Sequence, residues 1–112
     1  MNTPTSWPSD ADGDVLRRLS AKAFDFSSEH EIDFNVDFEE WPPHPGAIDW
    51  LESKYTRVEV HHPEAGFTGY IQFKIRAKLT YELVMHIQHE ATLGTQEHGG
   101  VCDSWGVLQQ AP

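Results

Sequence analysis

The sequence predicts a mixed α+β sandwich, and three observations carry that expectation. Residues 30–39 alternate apolar and polar side chains without a break, and so do residues 70–79. Residues 46–54 and 81–94 carry apolar side chains at helical spacing, and each segment follows one of those two strands. A chain of 112 residues is the size of one domain.

The elements follow in order. Residues 1–9 are polar at the start and proline-bearing, which fits a loose leader before a single domain over 10–110. A first helix is expected at about 10–22, with Asp10, Asp12 and Asp14 near its positive end and Val15, Leu16, Leu19 and Ala23 on its apolar side. In the first strand Ile32, Phe34, Val36 and Phe38 point one way, and Glu31, Asp33, Asn35, Asp37 and Glu39 point the other. Trp41-Pro42-Pro43-His44-Pro45-Gly46 is a connection, because consecutive prolines fit neither a helix interior nor a central strand. The helix at 46–54 turns Ala47, Ile48 and Leu51 inward, and Arg57 to His62 alternates again. After a turn at 62–66 comes the strand at 70–79, with Ile71, Phe73, Ile75, Ala77 and Leu79 on one face. Thr80 is placed to cap the helix at 81–94, whose stripe is Leu83, Val84, Ile87 and Ala91. A last strand runs over 101–108.

The order is a helix followed by βαββαβ. Two βαβ units joined by a hairpin give the ferredoxin-like split βαβ sandwich, with an antiparallel four-stranded sheet and an extra N-terminal helix. The expected strand order is 4-1-3-2. That order sets Glu31, Asp33, Asp37 and Glu39 beside Lys74, Arg76 and Lys78, and opposite charges across a sheet contribute about 0.2–1 kcal/mol per pair. The charges played no part in placing the strands, so they support the topology independently.

Eight Lys and Arg against 18 Asp and Glu give a net charge of −10. Direct nucleic-acid binding needs clustered cations, and an anionic membrane surface would repel this chain. No apolar run is long enough to span a bilayer, and the first residues do not read as a signal peptide. The single cysteine, Cys102, forms no internal disulfide, which fits a reducing, cytoplasmic setting. Residues 1–52 hold 12 of the acids and sum to −9, a pattern suited to a basic protein partner.

Chemistry is sparse. His86 and His89, with Glu82 or Glu90, are the best metal candidates, but they lie opposite the apolar stripe. His61 and His62 are adjacent on a strand and face opposite ways. Cys102 has no evident activating partner, and no phosphate-binding glycine loop is present. No catalytic residue, metal or cofactor is expected.

The blocks Asp12-Gly13-Asp14-Val15-Leu16-Arg17-Arg18-Leu19, Phe24-Asp25-Phe26-Ser27 and His30-Glu31-Ile32-Asp33-Phe34, with Thr80-Tyr81-Glu82 and the terminal Gly99-Gly100…Asp103…Trp105-Gly106, resemble the family of the regulator of ribonuclease E activity B (RraB). The resemblance spans about residues 10–108. It implies a ferredoxin-like fold and a non-enzymatic bacterial protein that binds an endoribonuclease and lowers its activity. Two departures stand out. The second helix is short, with Trp41-Pro42-Pro43 in place of part of a longer one, and the sequence carries no acidic tail after the domain. The partner-binding residues expected are the acids left without a neighbouring cation, Asp10, Asp12, Asp25, Glu29, Glu40, Asp49 and Glu52, with Trp41 and Trp105 as aromatic anchors. Two other readings remain open: an antitoxin or immunity-type inhibitor of a basic nuclease, and a small metal-dependent hydrolase built on His86 and His89.

Overall fold

The structure is a computed structural model and describes residues 7–107. Its elements are α1 (Ala11–Ala21), β1 (Glu29–Phe38), α2 (Pro45–Lys54), β2 (Thr56–His61), β3 (Tyr70–Lys78), α3 (Tyr81–Thr95), a 3-10 turn (Gln96–His98) and β4 (Gly100–Val107). The sheet is antiparallel in the order β2-β3-β1-β4, as the sequence predicts. This is the α+β ferredoxin-like sandwich with a helix added in front. Leu108 and residues 109–110, expected in the last strand and the domain, lie outside the described residues, as do residues 1–6 of the leader.

Each helix starts on a side-chain acceptor. Asp10 Oδ1 accepts from the Gly13 amide at 2.7 Å, and Thr80 Oγ1 accepts from the Leu83 amide at 3.0 Å. The third cap falls on a residue type that sequence rules do not favour: His44 Nδ1 accepts from the Gly46 amide at 2.9 Å, with Pro45 opening α2. The end of the expected loose leader is fastened. Arg17 Nη1 donates to the carbonyls of Trp7 at 3.0 Å and Pro8 at 3.2 Å, and the Trp7 ring lies 5.5 Å from that of Phe26. Gly13 permits this approach, because a Cβ there would collide with the Pro8 carbonyl oxygen.

The apolar faces of β1 and β3 build the core. Phe34 and Phe73 are paired in register with rings stacked at 5.5 Å, and Tyr55 stacks on Phe73 at 4.0 Å. Leu16 and Leu19 of α1, Leu51 of α2, and Val84, Ile87 and Ala91 of α3 join the same cluster. Burying each of the Leu, Ile, Val and Phe side chains stabilises the fold by about 1.5–3 kcal/mol before ordering entropy is set against it.

The other face of the sheet carries charge. Lys74 Nζ lies 2.7 Å from Asp33 Oδ1, and Arg76 Nε is 3.9 Å from Glu29 Oε1. Glu31 is met by Arg57, a β2 residue at φ 57° that sits in a register irregularity of that edge strand. A polar ladder continues across the strands: Gln72 Nε2 donates to Asn35 Oδ1 at 3.1 Å, and Asn35 Nδ2 donates to Ser104 Oγ at 3.2 Å. Asp37 breaks the expected pattern. Tyr70 stands opposite it on β3, and its charged neighbour is Asp103 of β4, where the register of β4 slips by one residue.

α1 ends in a Schellman turn, with the Phe24 amide donating to the Leu19 carbonyl and the Ala23 amide to that of Ser20. Ala23 occupies the left-handed position at φ 61°, where a Cβ is unfavourable. Ala23→Gly is expected to raise unfolding stability by about 0.5–1 kcal/mol in urea titrations. An unchanged or lower midpoint would show that the turn tolerates the Cβ without cost.

Candidate functional site

The acids expected to face a partner divide into two groups. Asp10 is tied down: besides capping α1, its Oδ2 accepts from the Tyr81 hydroxyl at 2.6 Å. The Tyr81 bond, then the Gly13 amide, holds the Asp10 carboxyl below its ordinary range, and the same bond pushes Tyr81 up to about 12. Asp12 accepts from Trp105 Nε1 at 2.7 Å and from Gln88 Nε2 at 3.2 Å, and so joins α1 to β4 and α3. Trp105 is accordingly half-buried and packed on the core. Asp25 closes its own turn by accepting from the Ser27 and Ser28 hydroxyls and the Ser27 amide; these bonds, Ser27 foremost, lower it to about 2. Glu29 stands near Arg76.

Glu40, Asp49 and Glu52 form the second group. All three are exposed, and no ion pair to them is present among the described residues. Trp41 is half-buried in the loop before α2, with His62 edge-on to it at 5.8 Å and Gly69 close beneath its indole.

α2 and α3 run antiparallel and form a seam. At one end Gly46 faces His98, in the middle the Trp50 indole lies on Gly94, and at the far end the Tyr55 hydroxyl donates to Glu90 Oε1 at 2.8 Å. His44 and His98 stack with ring centroids 4.3 Å apart and only 10° between planes. Beside them Glu39, Glu40, Pro42, Glu97 and Gly99 line a cleft of about 720 Å³. Farther along, Trp50, His86, His89, Glu90, Leu93 and Gly94 line a second cleft of about 380 Å³. Sequence reading passed over Leu93, although its place off the buried stripe of α3 already marked it as an apolar residue facing outward.

Among the described residues no three His, Cys, Asp or Glu side chains converge as metal ligands. His86 Nε2 lies 3.6 Å from Glu90 Oε2, but Glu90 also accepts from Tyr55 and sits 3.7 Å from Lys54. Cys102 is 4% exposed, and burial, reinforced by the charges of Asp103, Asp37 and Asp12, pushes its thiol up to about 12. A thiol held protonated is a poor nucleophile. The Asp37 carboxyl is raised to about 6, chiefly by burial and then by its hydrogen bond to Asp103 and that residue's charge.

A family model described as regulator of ribonuclease activity B matches residues 9–107. The chain belongs to the RraB family. The match runs from the residue before the α1 cap to the end of β4, so every element described above lies inside it. RraB proteins are a family of regulators. A search of curated proteins returns no match. No helix of the described residues is long and apolar enough to cross a membrane.

Two predictions test this division of the acids. Asp12→Ala removes the partner of both Trp105 and Gln88, and is expected to lower stability by about 2 kcal/mol in chemical denaturation. A loss under about 0.5 kcal/mol would mark Asp12 as a surface acid after all. Asp37→Asn is expected to act in the opposite sense. A carboxyl raised from 3.8 to about 6 binds its proton more tightly in the folded protein, so its contribution to stability falls as pH rises from about 4 to about 6 and stays lost above that. The variant should therefore exceed the parent by about 1 kcal/mol at pH 8, after discounting for partial exposure, and match it near pH 3. A pH-independent difference would show that the Asp37 carboxyl is not raised in the folded protein.

Proposed function

We propose that this protein lowers the activity of a ribonuclease E–type endoribonuclease by binding it directly, with no bond chemistry of its own. The observation that carries the reading is the RraB family match over residues 9–107. The charge supports it: at −10 the chain is a poor ligand for RNA but a good one for a protein that displays basic RNA-binding surface. Of the residues proposed for the contact, Glu40, Asp49 and Glu52 are exposed without an ion pair among the described residues, while Asp10, Asp12 and Trp105 spend their polar groups inside the domain. A partner reaching the first three would therefore displace no internal bond to them.

The test is RNA cleavage by a purified ribonuclease E–type enzyme with increasing amounts of this protein. Cleavage is expected to fall as the protein approaches and exceeds the enzyme, and to recover as salt screens the contact. Undiminished cleavage at a large molar excess, with no complex by size-exclusion chromatography, would overturn the reading.

A further inference from the structure

We propose that the seam between α2 and α3 is the docking surface, and that it takes a short basic segment of a protein partner anchored by one apolar side chain. This rests on the reading of the chain as a protein-binding regulator, and it assigns that role to one face.

Charge separates the faces. On the open side of the sheet Asp33, Glu31 and Glu29 each have a cation nearby, from Lys74, Arg57 and Arg76. On α1 the acids Asp10, Asp12 and Asp14 are engaged by Tyr81, Trp105 and Arg17. The segments that form the seam, residues 39–54 and 81–98, hold seven acids and a single lysine, Lys54. That lysine is near Glu90 at the far end, away from the Glu39, Glu40 and Glu97 cleft. Of these acids Glu39, Glu40, Asp49 and Glu52 are exposed with no ion pair among the described residues, and Glu97 has only His98 near it, whereas the sheet leaves the Asp37–Asp103 pair as its own carboxylates without a cation.

The seam also offers an apolar seat, which a merely solvated acidic face does not need. Leu93 is 55% exposed, and it lines the second cleft beside Trp50. Gly94 deepens this point, because a Cβ there would collide with the indole. From Gly46 to Lys54 the α2 wall is about 12 Å long, which accommodates about four extended residues. An occupant of that length places its apolar side chain against Leu93 and Trp50. Its Lys or Arg side chains then reach Glu97, Glu39 and Glu40 at the cleft beside the His44–His98 stack. Trp50 on this chain and arginine on the occupant are the side-chain types enriched among residues that dominate binding at protein interfaces.

The test titrates the isotope-labelled full chain with a short synthetic peptide of arginines around one leucine, and with its alanine counterpart, following amide shifts. Shifts are expected along residues 39–50 and 86–99, with the alanine peptide binding about tenfold more weakly. Leu93→Asp, and the milder Leu93→Ser, should weaken the leucine peptide in that order, and Glu97→Lys should weaken it and flatten the salt dependence. Glu59→Lys, the same charge change on the sheet side, should leave affinity within about twofold. Equal binding of the two peptides, or shifts centred on the sheet, would overturn the proposal. A second arm uses a purified ribonuclease E–type enzyme. Seam variants that bind it like the parent overturn the docking surface and leave the proposed function standing. A parent chain that takes the leucine peptide at the seam but does not bind the enzyme supports the surface and overturns only the identity of the partner.

Discussion

In the middle of the sheet Lys74 Nζ stands 2.7 Å from Asp33 Oδ1, with the lysine side chain 16% exposed. β1 is an inner strand with Ile32, Phe34 and Val36 fully buried on one face and acids at alternate positions on the other. Such a strand needs apolar cover on one side and cations on the other, and β3 supplies both. Phe73 and Ile71 go to the core, and Lys74 and Arg76 go to the acids. The register that pairs Phe34 with Phe73 is also the one that pairs Asp33 with Lys74. A slip by one residue would lose both sets of contacts at once, so burial and charge enforce the same alignment.

Period-two alternation made β1 and β3 legible in the sequence, and opposite charges at matching positions made them legible as neighbours. Thr80 was legible as a cap because its side chain acts within one turn. The roles of Asp10 and Asp12 were not, since Tyr81, Gln88 and Trp105 lie 71, 76 and 93 residues away along the chain. An aspartate at a helix start looks the same in sequence whether it faces solvent or a distant hydroxyl. Asp37 was misjudged for a related reason: its partner is set by a register slip in β4, which no local pattern announces. The His44 cap was hidden in a proline-rich connection that reads only as a break.

The molecule thus sorts its acids by purpose. Some hold the helices to one another, some are paired with cations on the sheet, and Glu40, Asp49 and Glu52 are exposed with no ion pair among the described residues.

The two outer strands share a further property. β2 carries its irregularity at Arg57, and β4 carries one at Asp103, so each free edge of the sheet is kinked and bears a charged residue at the kink. A flat edge invites a strand from another molecule, whereas a bulged and charged edge resists it. Both edges of the sheet are therefore poor templates for an added strand. Neutralising Asp103 would leave the kink and remove its charge, and with it part of that guard against edge-to-edge aggregation.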